Sequence, residues 1–255
     1  MPGLKGYNPA KLLFYRTEIV SKTAEIAKYI DHTLLLPQAT KAEVSKLCQE
    51  AIQHNFYAVC VNPCFVRQAV KELSSSKVAV ATVIGFPLGA NLTDTKIAET
   101  NKAVSEGAEE IDMVINVGAL KGGELDYVTE EIKSVVRAAK NVPVKVIIEC
   151  DLLSDDEKVQ ATECCVKAGA AMVKTSTGFV KDGKGATVAD IELIKKALAG
   201  AKLGIKASAG IRDYAKAKSL IEAGATRLGT SASIEIVKGE SGSSPKEDEK
   251  TAAAY

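Results

Sequence analysis

The 255-residue sequence predicts an α/β fold in which eight parallel strands alternate with helices and close into a (β/α)8 barrel. Three observations favour this fold. Short apolar runs alternate with amphipathic segments along most of the chain. A Gly-Ala pair precedes three of those runs, where glycine can end a helix with positive φ. No glycine-rich phosphate loop follows the first predicted strand, although an open doubly wound sheet would normally have one.

The predicted elements follow one another in a regular order. Strands are expected at 29–34, 57–61, 78–84, 110–116, 144–150, 171–174, 203–207 and 227–229. Helices are expected between them at 41–54, 63–73, 94–105, 125–140, 155–167, 188–199 and 213–222. A first helix at 9–28 precedes the barrel and a short one at 231–238 ends it. We therefore expect one barrel domain over 1–238, including the N-terminal helix, and a mobile C-terminal tail over 239–255.

Composition and charge argue against several classes of function. The chain has 33 basic and 32 acidic residues, so its charge does not favour binding to nucleic acid or to an anionic membrane. No apolar run reaches the length of a membrane span, and the N-terminus lacks a signal-peptide pattern, which predicts a cytoplasmic protein. Six cysteines without paired spacing and only two histidines predict neither a metal site nor a bound cofactor.

Two apolar runs end in a lysine followed by small polar residues. Lys174 ends the sixth predicted strand and Lys206 lies near the end of the seventh. Active sites of such barrels lie at the carboxyl ends of the strands, so both lysines are candidate active-site residues. Asp112 stands within an apolar strand, where a carboxylate must be paired or functional. Lys145 begins the fifth strand, at the opposite end, and is interpreted as a residue that serves stability or solubility.

A lysine pair of this kind suits chemistry on carbonyl compounds. A neutral amine attacks a carbonyl carbon and gives an iminium ion, which permits C–C bond cleavage at the neighbouring carbon. An ordinary lysine has a pKa of about 10.4, and burial beside a second ammonium can lower it by ~2–4 units. Lys206 would act on Lys174 in this way, and Asp112 would move protons. A purely structural salt bridge is the alternative, but two lysines against one carboxylate would leave a charge uncompensated.

Polar loops after strands six, seven and eight are typical of a phosphate site. The candidate residues in these loops are Thr177, Gly178, Gly210, Arg212, Gly229 and Ser231. Each loop alone is weak support, because most such sequences are only turns. Their joint position at the carboxyl ends of the strands is stronger support for a phosphate site.

At these residues the chain resembles the 2-deoxyribose-5-phosphate aldolases, a family of class I, Schiff-base aldolases. The matching segments are 30–35, 59–63, 83–89, 110–120, 173–179, 205–212 and 227–231. The resemblance implies a (β/α)8 barrel that reversibly splits 2-deoxy-D-ribose 5-phosphate into acetaldehyde and D-glyceraldehyde 3-phosphate without a metal. By motif, Lys174 resembles the Schiff-base lysine, Lys206 the lysine that lowers its pKa, and Asp112 the proton-relay acid.

The chain departs from part of that family at three positions near the expected phosphate site. Phe179 stands where some relatives have a phosphate-facing lysine, Ala209 where glycine is common, and Ala232 where serine is common. The loop at 180–185 also looks slightly expanded. These changes bear on the affinity for phosphate rather than on Schiff-base chemistry.

Four further residues are weaker candidates for the site. Asp31 and Thr33 end the first strand and are interpreted as binding substrate hydroxyls or holding the barrel rim. Cys60 is either a packed thiol or part of the pocket wall, where unsaturated aldehydes could alkylate it. Tyr255 is either a free chain end or, as the resemblance implies, a residue that reaches back into the active site.

Two other functions stay open from the sequence. One is another phosphate-binding barrel enzyme, of the transaldolase type or an isomerase, although an isomerase would not need the lysine pair. The other is an inactive barrel that serves as a binding protein, against which the joint presence of Lys174, Lys206 and Asp112 argues. The expected partners are a phosphorylated sugar and aldehydes, with a homodimer as the candidate assembly and neither nucleic acid nor membrane.

Overall fold

Eight short strands pair in chain order, each parallel to the next, and the first also pairs with the last, which closes a TIM barrel. This architecture is seen in a computed structural model that describes residues 26–240. The strands are β1 (Ile30–Leu34), β2 (Ala58–Val61), β3 (Ala79–Ile84), β4 (Glu110–Val114), β5 (Val144–Ile147), β6 (Met172–Lys174), β7 (Gly204–Ser208) and β8 (Arg227–Thr230). The predicted fold class is confirmed.

Helices follow the strands and surround the barrel. They are α1 (Lys41–His54), α2 (Val66–Glu72), α3 (Thr93–Ser105), α4 (Val117–Lys121), α5 (Leu125–Ala139), α6 (Asp155–Ala168), α7 (Val188–Ala197), α8 (Tyr214–Ala223) and α9 (Ser233–Glu240). Short 3-10 turns lie at Ile26–Tyr29, Pro63–Phe65 and Cys150–Leu152. Within residues 26–240, none of the helices has the length and apolar character needed to cross a bilayer.

Local sequence signals explain where several helices begin and end. Thr40 and Ser154 each form a capping box at the start of α1 and α6. Gly107, Gly169 and Gly224 have φ angles of 102°, 75° and 129° after α3, α6 and α8. The Gly-Ala pairs therefore act as predicted, since glycine adopts these angles without a steric penalty.

Two predicted boundaries differ from the structure for physical reasons. Strand four was expected to reach Asn116, but β4 ends at Val114 and Asn116 caps the short helix α4, which the sequence analysis missed. The Asn116 side chain accepts a hydrogen bond from the Ala119 N–H at 3.0 Å, a local bond that competes with strand continuation. Strand five ends at Ile147 because Glu149 adopts a left-handed backbone with φ 61°.

The predicted N-terminal helix and C-terminal tail lie mostly outside the described residues. The predicted helix at 9–28 lies outside the described residues except for its last three, which belong to the turn at Ile26–Tyr29. Helix α9 continues through Glu240, two residues past the predicted domain boundary. The rest of the predicted tail, including Tyr255, also lies outside the described part of the chain.

The main apolar core lies between the strands and the helices, not inside the barrel. Outward-facing strand residues such as Val59, Ile111 and Val146 are fully buried in that core. Their neighbours in sequence point inward, because side chains alternate along a strand. The barrel interior therefore receives a different set of side chains, which includes a group of charged residues and a small apolar cluster around Cys60, Ala81 and Val83.

Candidate active site

Seven charged side chains share the interior of the barrel. They are Asp31 on β1, Glu110 and Asp112 on β4, Lys145 on β5, Lys174 on β6, Lys206 on β7 and Arg227 on β8. We call this set the ion cluster. Strand register brings its members together, since Asp112 is paired with Lys145, Lys174 with Lys206, and Lys206 with Arg227. All seven are buried, so each needs a partner of opposite charge.

The three predicted catalytic residues meet in this cluster. Lys174 Nζ donates a hydrogen bond to Asp112 Oδ2 at 2.7 Å, and Lys206 Nζ donates to the same oxygen at 2.8 Å. A single carboxylate oxygen thus lies between two ammonium groups. This arrangement has the contacts that a lysine pair with a shared proton acceptor requires.

Lys145 was interpreted as serving stability or solubility; its burial shows that the solubility part is wrong, while a role in stability stays a prediction. Its side chain is fully buried, with Nζ 2.6 Å from Glu110 Oε2, 2.9 Å from Asp112 Oδ1 and 3.2 Å from Asp31 Oδ2. The position near the start of β5 was correct, but the alternation of side chains points Lys145 inward, beside Asp112.

Asp31 also lies elsewhere than predicted. It is the second residue of β1 rather than a rim residue, and it is fully buried. Its carboxylate accepts hydrogen bonds from Lys145, from Lys206 and from Arg227 Nη1, the last at 2.9 Å. Asp31 does not line the cavity, and its carboxylate instead helps to neutralise the cluster, while a role towards substrate hydroxyls stays an untested prediction.

Glu110 and Arg227 were missed by the sequence analysis. Arg227 Nη1 donates to Glu110 Oε2 at 2.8 Å, and the guanidinium lies 3.4 Å from the centre of the Tyr57 ring. Both residues begin strands, at the end away from the expected active site. The sequence could have identified Glu110, because it stands two positions before Asp112 and its side chain must therefore lie on the same side of β4.

The charges of the cluster do not balance if every member is ionised, because three lysines and one arginine face three carboxylates. Lys174 has one carboxylate partner, Lys206 has two and Lys145 has three. Burial lowers the pKa of Lys174, and the Lys206 ammonium lowers it further against the opposing effect of Asp112. Burial also disfavours the charges of Lys206 and Lys145, but their carboxylate partners raise both pKa values. Lys174 is therefore the lysine of the cluster that most readily loses a proton.

Asp112 stays ionised in this setting. Burial would raise the pKa of its carboxyl group, but Lys145, Lys174 and Lys206 together hold that pKa well below its usual range. The carboxylate can accept a proton only when one of these ammonium groups changes its charge or position. Proton transfer at Asp112 is thus coupled to the charge state of Lys174.

A cavity of about 320 Å³ opens at the carboxyl ends of the strands. Lys174 is the member of the ion cluster that lines it, among the described residues. The predicted site residues that also line it are Thr33, Thr177, Gly210, Arg212, Gly229 and Ser231. The cavity therefore joins the amine of Lys174 to the loops predicted to bind phosphate.

Other predicted residues lie off the cavity wall. Gly178 follows Thr177 but does not line the cavity. Cys60 is fully buried, packs with Leu35, Ala81 and Val83, and has a thiol pKa raised by burial to about 11. It is thus a packed thiol, the first of the two readings of the sequence.

The cavity loops are held by two carboxylates that the sequence analysis did not consider, the buried Glu149 and the half-buried Asp151. Glu149 accepts hydrogen bonds from the backbone N–H and the hydroxyl of Thr177, the former at 3.0 Å. Asp151 accepts from the backbone N–H groups of Lys184 and Gly185 at 3.0 and 3.1 Å. These contacts position the segment that follows β6 at the cavity mouth.

The far wall of the cavity is the beginning of α9 and the turn before it. Gly229 in β8 also lines the cavity, and a Cβ atom at this position would lie 2.9 Å from Cε of Lys206, so a larger residue would displace that side chain. Ser231 and Ala232 line the cavity, and so does Glu235, a carboxylate that was not predicted. Phe179 lies off the wall and packs edge-on against Phe86, with ring centres 5.1 Å apart.

Residues 26–240 contain no group of three or more His, Cys, Asp or Glu side chains placed to hold a metal ion. The carboxylates of the ion cluster are instead occupied by ammonium and guanidinium groups.

A closed parallel barrel in which a buried lysine lines a cavity at the carboxyl ends of the strands is typical of a barrel enzyme whose reactive group is a lysine amine. Comparison with known proteins gives the particular family. The profile of the DeoC/LacD family aldolases matches residues 25–236, and the chain belongs to this family of carbon–carbon lyases.

Individual relatives agree with this assignment. A deoxyribose-phosphate aldolase from Caldanaerobacter subterraneus subsp. tengcongensis is 54% identical over 216 residues, which cover 84% of this chain and 92% of the relative. The structure of a putative deoxyribose-phosphate aldolase from Coccidioides immitis is 38% identical with a TM-score of 0.84, covering 87% of each chain. The tetrameric deoxyribose phosphate aldolase from Aeropyrum pernix is 31% identical with a TM-score of 0.79, covering 85% of this chain and 91% of that one.

Proposed function

We propose that this aldolase reversibly cleaves 2-deoxy-D-ribose 5-phosphate into D-glyceraldehyde 3-phosphate and acetaldehyde through a Schiff base on Lys174. One observation carries the proposal. Lys174 is the lysine of the ion cluster that lines the cavity, and it is also the one whose pKa is lowered. The names of the relatives support the choice of substrate.

The proposed reaction begins with attack of the neutral Lys174 amine on the aldehyde carbon of the open-chain sugar. Loss of water from the carbinolamine gives an iminium ion, which withdraws electrons from the neighbouring carbon. The C2–C3 bond then breaks as the 3-hydroxyl loses its proton, and glyceraldehyde 3-phosphate leaves. Protonation of the remaining enamine and addition of water release acetaldehyde and restore the amine.

Asp112 and Lys206 have distinct parts in this scheme. Asp112 lies 2.7 Å from Lys174 Nζ, so its carboxylate, with bound water, can exchange protons during formation and breakdown of the carbinolamine. Lys206 keeps a positive charge beside Lys174, since its own pKa is raised by the two carboxylates it contacts. That charge favours the neutral amine on Lys174.

The phosphate of the substrate would bind at the opposite wall of the cavity. Backbone N–H groups around Gly210 and Gly229, the Arg212 side chain and the beginning of α9 all favour an anion there. A cytoplasmic location and a homodimeric assembly remain predictions.

Trapping with borohydride tests the proposal. The protein is incubated with acetaldehyde or with deoxyribose 5-phosphate, reduced, digested and mapped by mass spectrometry. We expect the adduct on Lys174 and release of both products from the sugar phosphate. A matched control is Lys96→Met, which removes another buried lysine, paired with Glu131 outside the barrel interior, and should keep the adduct.

Three results would contradict the proposal. No adduct, or an adduct on a different lysine, would exclude the assigned nucleophile. An adduct on Lys174 without cleavage of deoxyribose 5-phosphate would favour an aldolase of the transaldolase type. Binding of the sugar phosphate with neither adduct formation nor cleavage would indicate an inactive barrel.

A further inference from the structure

Lys145 is a buried charge that the proposed reaction does not use. It lies below the cavity, does not line it, and its side chain is fully buried. A fully buried lysine is uncommon, because removing its ammonium from water is costly unless it is well paired. The position of Lys145 within the ion cluster indicates what it does.

We infer that Lys145 is an electrostatic positioning residue, whose ammonium acts through Asp112 to favour the neutral amine on Lys174. The inference rests on the Schiff-base function proposed above. It does not make Lys145 a catalytic residue, because its side chain cannot reach the substrate.

The first argument is the way in which Asp112 is shared. Its Oδ1 accepts from Lys145 at 2.9 Å, while Oδ2 accepts from Lys174 at 2.7 Å and from Lys206 at 2.8 Å. Lys145 thereby compensates part of the carboxylate charge that would otherwise stabilise the Lys174 ammonium. Lys174 has no second carboxylate within salt-bridge distance among residues 26–240.

The second argument is the charge balance. With Lys145 present, four cations face three carboxylates, so the cluster becomes neutral when one lysine loses a proton. Without Lys145, three cations would face three carboxylates and the Lys174 ammonium would be fully compensated. The excess positive charge that favours a neutral amine on Lys174 thus includes the ammonium of Lys145 in addition to the directly neighbouring Lys206.

The third argument is that the charge of Lys145 is itself fixed. Glu110 Oε2 lies 2.6 Å from Lys145 Nζ, and Arg227 Nη1 lies 2.8 Å from the same oxygen. Burial disfavours the charge of Lys145, but Asp112, Asp31 and Glu110 together raise its pKa well above the ordinary value, so Lys145 stays protonated. The lysine that loses a proton is therefore Lys174, which lines the cavity, and not Lys145 at the closed end of the barrel.

Other groups around Lys174 do not supply the same effect. The charged or titratable groups that face it from neighbouring elements are Asp112 on β4, Lys206 on β7, Cys60 on β2 and Glu149 after β5, with Asp31 on β1 and Arg227 on β8 below. The Cys60 thiol is neutral near pH 7, with a pKa raised by burial to about 11. Glu149 is bound to Thr177. Lys206 and Lys145 are the lysines that share Asp112 with Lys174.

The test is the pH dependence of acetaldehyde trapping on Lys174 in Lys145→Met, a neutral side chain of similar length. We expect the midpoint of the profile to move up by about one pH unit or more, because a cation a few ångströms away is removed. Trapping at neutral pH should be about tenfold slower or more, with the adduct still on Lys174 at high pH.

Two further variants separate electrostatics from structure. Glu110→Gln removes a carboxylate and should move the midpoint in the opposite direction, to lower pH. The double variant Lys145→Met with Glu110→Gln leaves three cations and two carboxylates, and its profile should return towards that of the unmodified protein. Lys96→Met is the control for loss of a buried lysine and should leave the midpoint unchanged.

An unchanged midpoint in Lys145→Met would overturn the inference while leaving the proposed function intact, provided that the adduct stays on Lys174. A shift to lower pH would overturn it as well. If Lys145→Met does not fold, the Glu110→Gln variant provides the test. An unchanged midpoint in that variant, or a midpoint at higher pH, would also overturn the inference. Absence of any adduct in the unmodified protein would instead reject the proposed function.

Discussion

The lowered pKa of Lys174 depends on how few anions surround its amine as well as on its burial. Lys174, Lys206 and Lys145 are all buried and all bound to Asp112, yet the pKa of Lys174 alone among them is lowered. The difference lies in the number of carboxylates, which rises from one to three along the series. Within one cluster, the number of neighbouring carboxylates thus separates one lysine with a lowered pKa, the proposed nucleophile, from two lysines with raised pKa values.

Asp112→Asn tests the role of the shared carboxylate. The variant removes the group that raises the pKa of Lys174, so trapping of acetaldehyde on Lys174 should persist at neutral pH. Turnover of the sugar phosphate should fall by about 10²–10⁴-fold, because a general acid–base group is lost. Both are measured on the same preparation, as adduct yield and as kcat.

The control is Asp190→Asn, which removes a carboxylate paired with Lys158 at 2.7 Å, away from the ion cluster. It should leave kcat unchanged within about twofold, as substitutions outside a site usually do. Turnover in Asp112→Asn close to that of this control would show that Asp112 is only a structural ion.

Among single residues, sequence reasoning succeeded where position along a strand decides the outcome. Lys174 and Asp112 were recognised from their places in apolar runs. The place of Lys145 near the start of its strand was correct, but neither its contacts nor those of Asp31 in the ion cluster were foreseen, because position along a strand does not tell which charged side chains meet inside the barrel. Lys145 is the register partner of Asp112 on the neighbouring strand, which places its Nζ 2.9 Å from Asp112 Oδ1.

At the level of elements, helix α9 and the turn before it combine features that attract and repel an anion. The beginning of a helix carries partial positive charge, which favours a phosphate. Glu235 is the third residue of α9 and lines the same cavity, so its carboxylate opposes that attraction. The balance between them should set the preference for phosphorylated substrates.

Glu235→Gln should therefore strengthen binding of phosphorylated substrates. We expect the KM for deoxyribose 5-phosphate to fall by about threefold to tenfold, because one repulsive charge is removed from a partly solvated site. The KM for unphosphorylated deoxyribose should change little. Steady-state kinetics with both sugars provides the measurement.

Glu222→Gln on α8 is the matched control, since it removes an exposed carboxylate away from this cavity. An equal change in KM for both sugars, or the same change in the control, would speak against a role of Glu235 in phosphate selectivity.

Helices and strands were the best-predicted feature of this chain. The bounds of α1 were predicted to the residue, because Thr40 forms a capping box and Asn55 ends the helix with a left-handed backbone. Helix α4 was missed because its five residues are too few to show a periodic pattern. A single side-chain bond from Asn116 starts it, and no pattern of hydrophobicity reports such a bond.

For the molecule as a whole, the ion cluster links stability to pH. The pKa values of Asp31 and Asp112 lie below their ordinary range in the folded protein, through their cationic partners and against the effect of burial. Carboxylates of this kind stabilise the fold above the pKa of the unfolded chain, about 4, and cease to do so as pH falls below it.

We therefore expect the free energy of unfolding to fall steeply below about pH 5, by about 2 kcal/mol or more for each carboxylate. Added salt at neutral pH should have little effect, since the ion pairs are buried. Urea unfolding at a series of pH values measures both. A constant urea midpoint between pH 7 and pH 3 would be incompatible with this prediction.

The amino-acid sequence by itself determined the eightfold alternation, the ends of most helices and the segments that hold Lys174, Lys206 and Asp112. These depend on local preferences and on side-chain periodicity, which a linear pattern records. Only the tertiary structure decided that seven charged groups meet in the barrel interior, that Lys145 and Asp31 belong to them, and that Glu235 lines the cavity. Barrel closure brings together residues from six strands, and which charges then compensate one another is a property of their distances, not of their order.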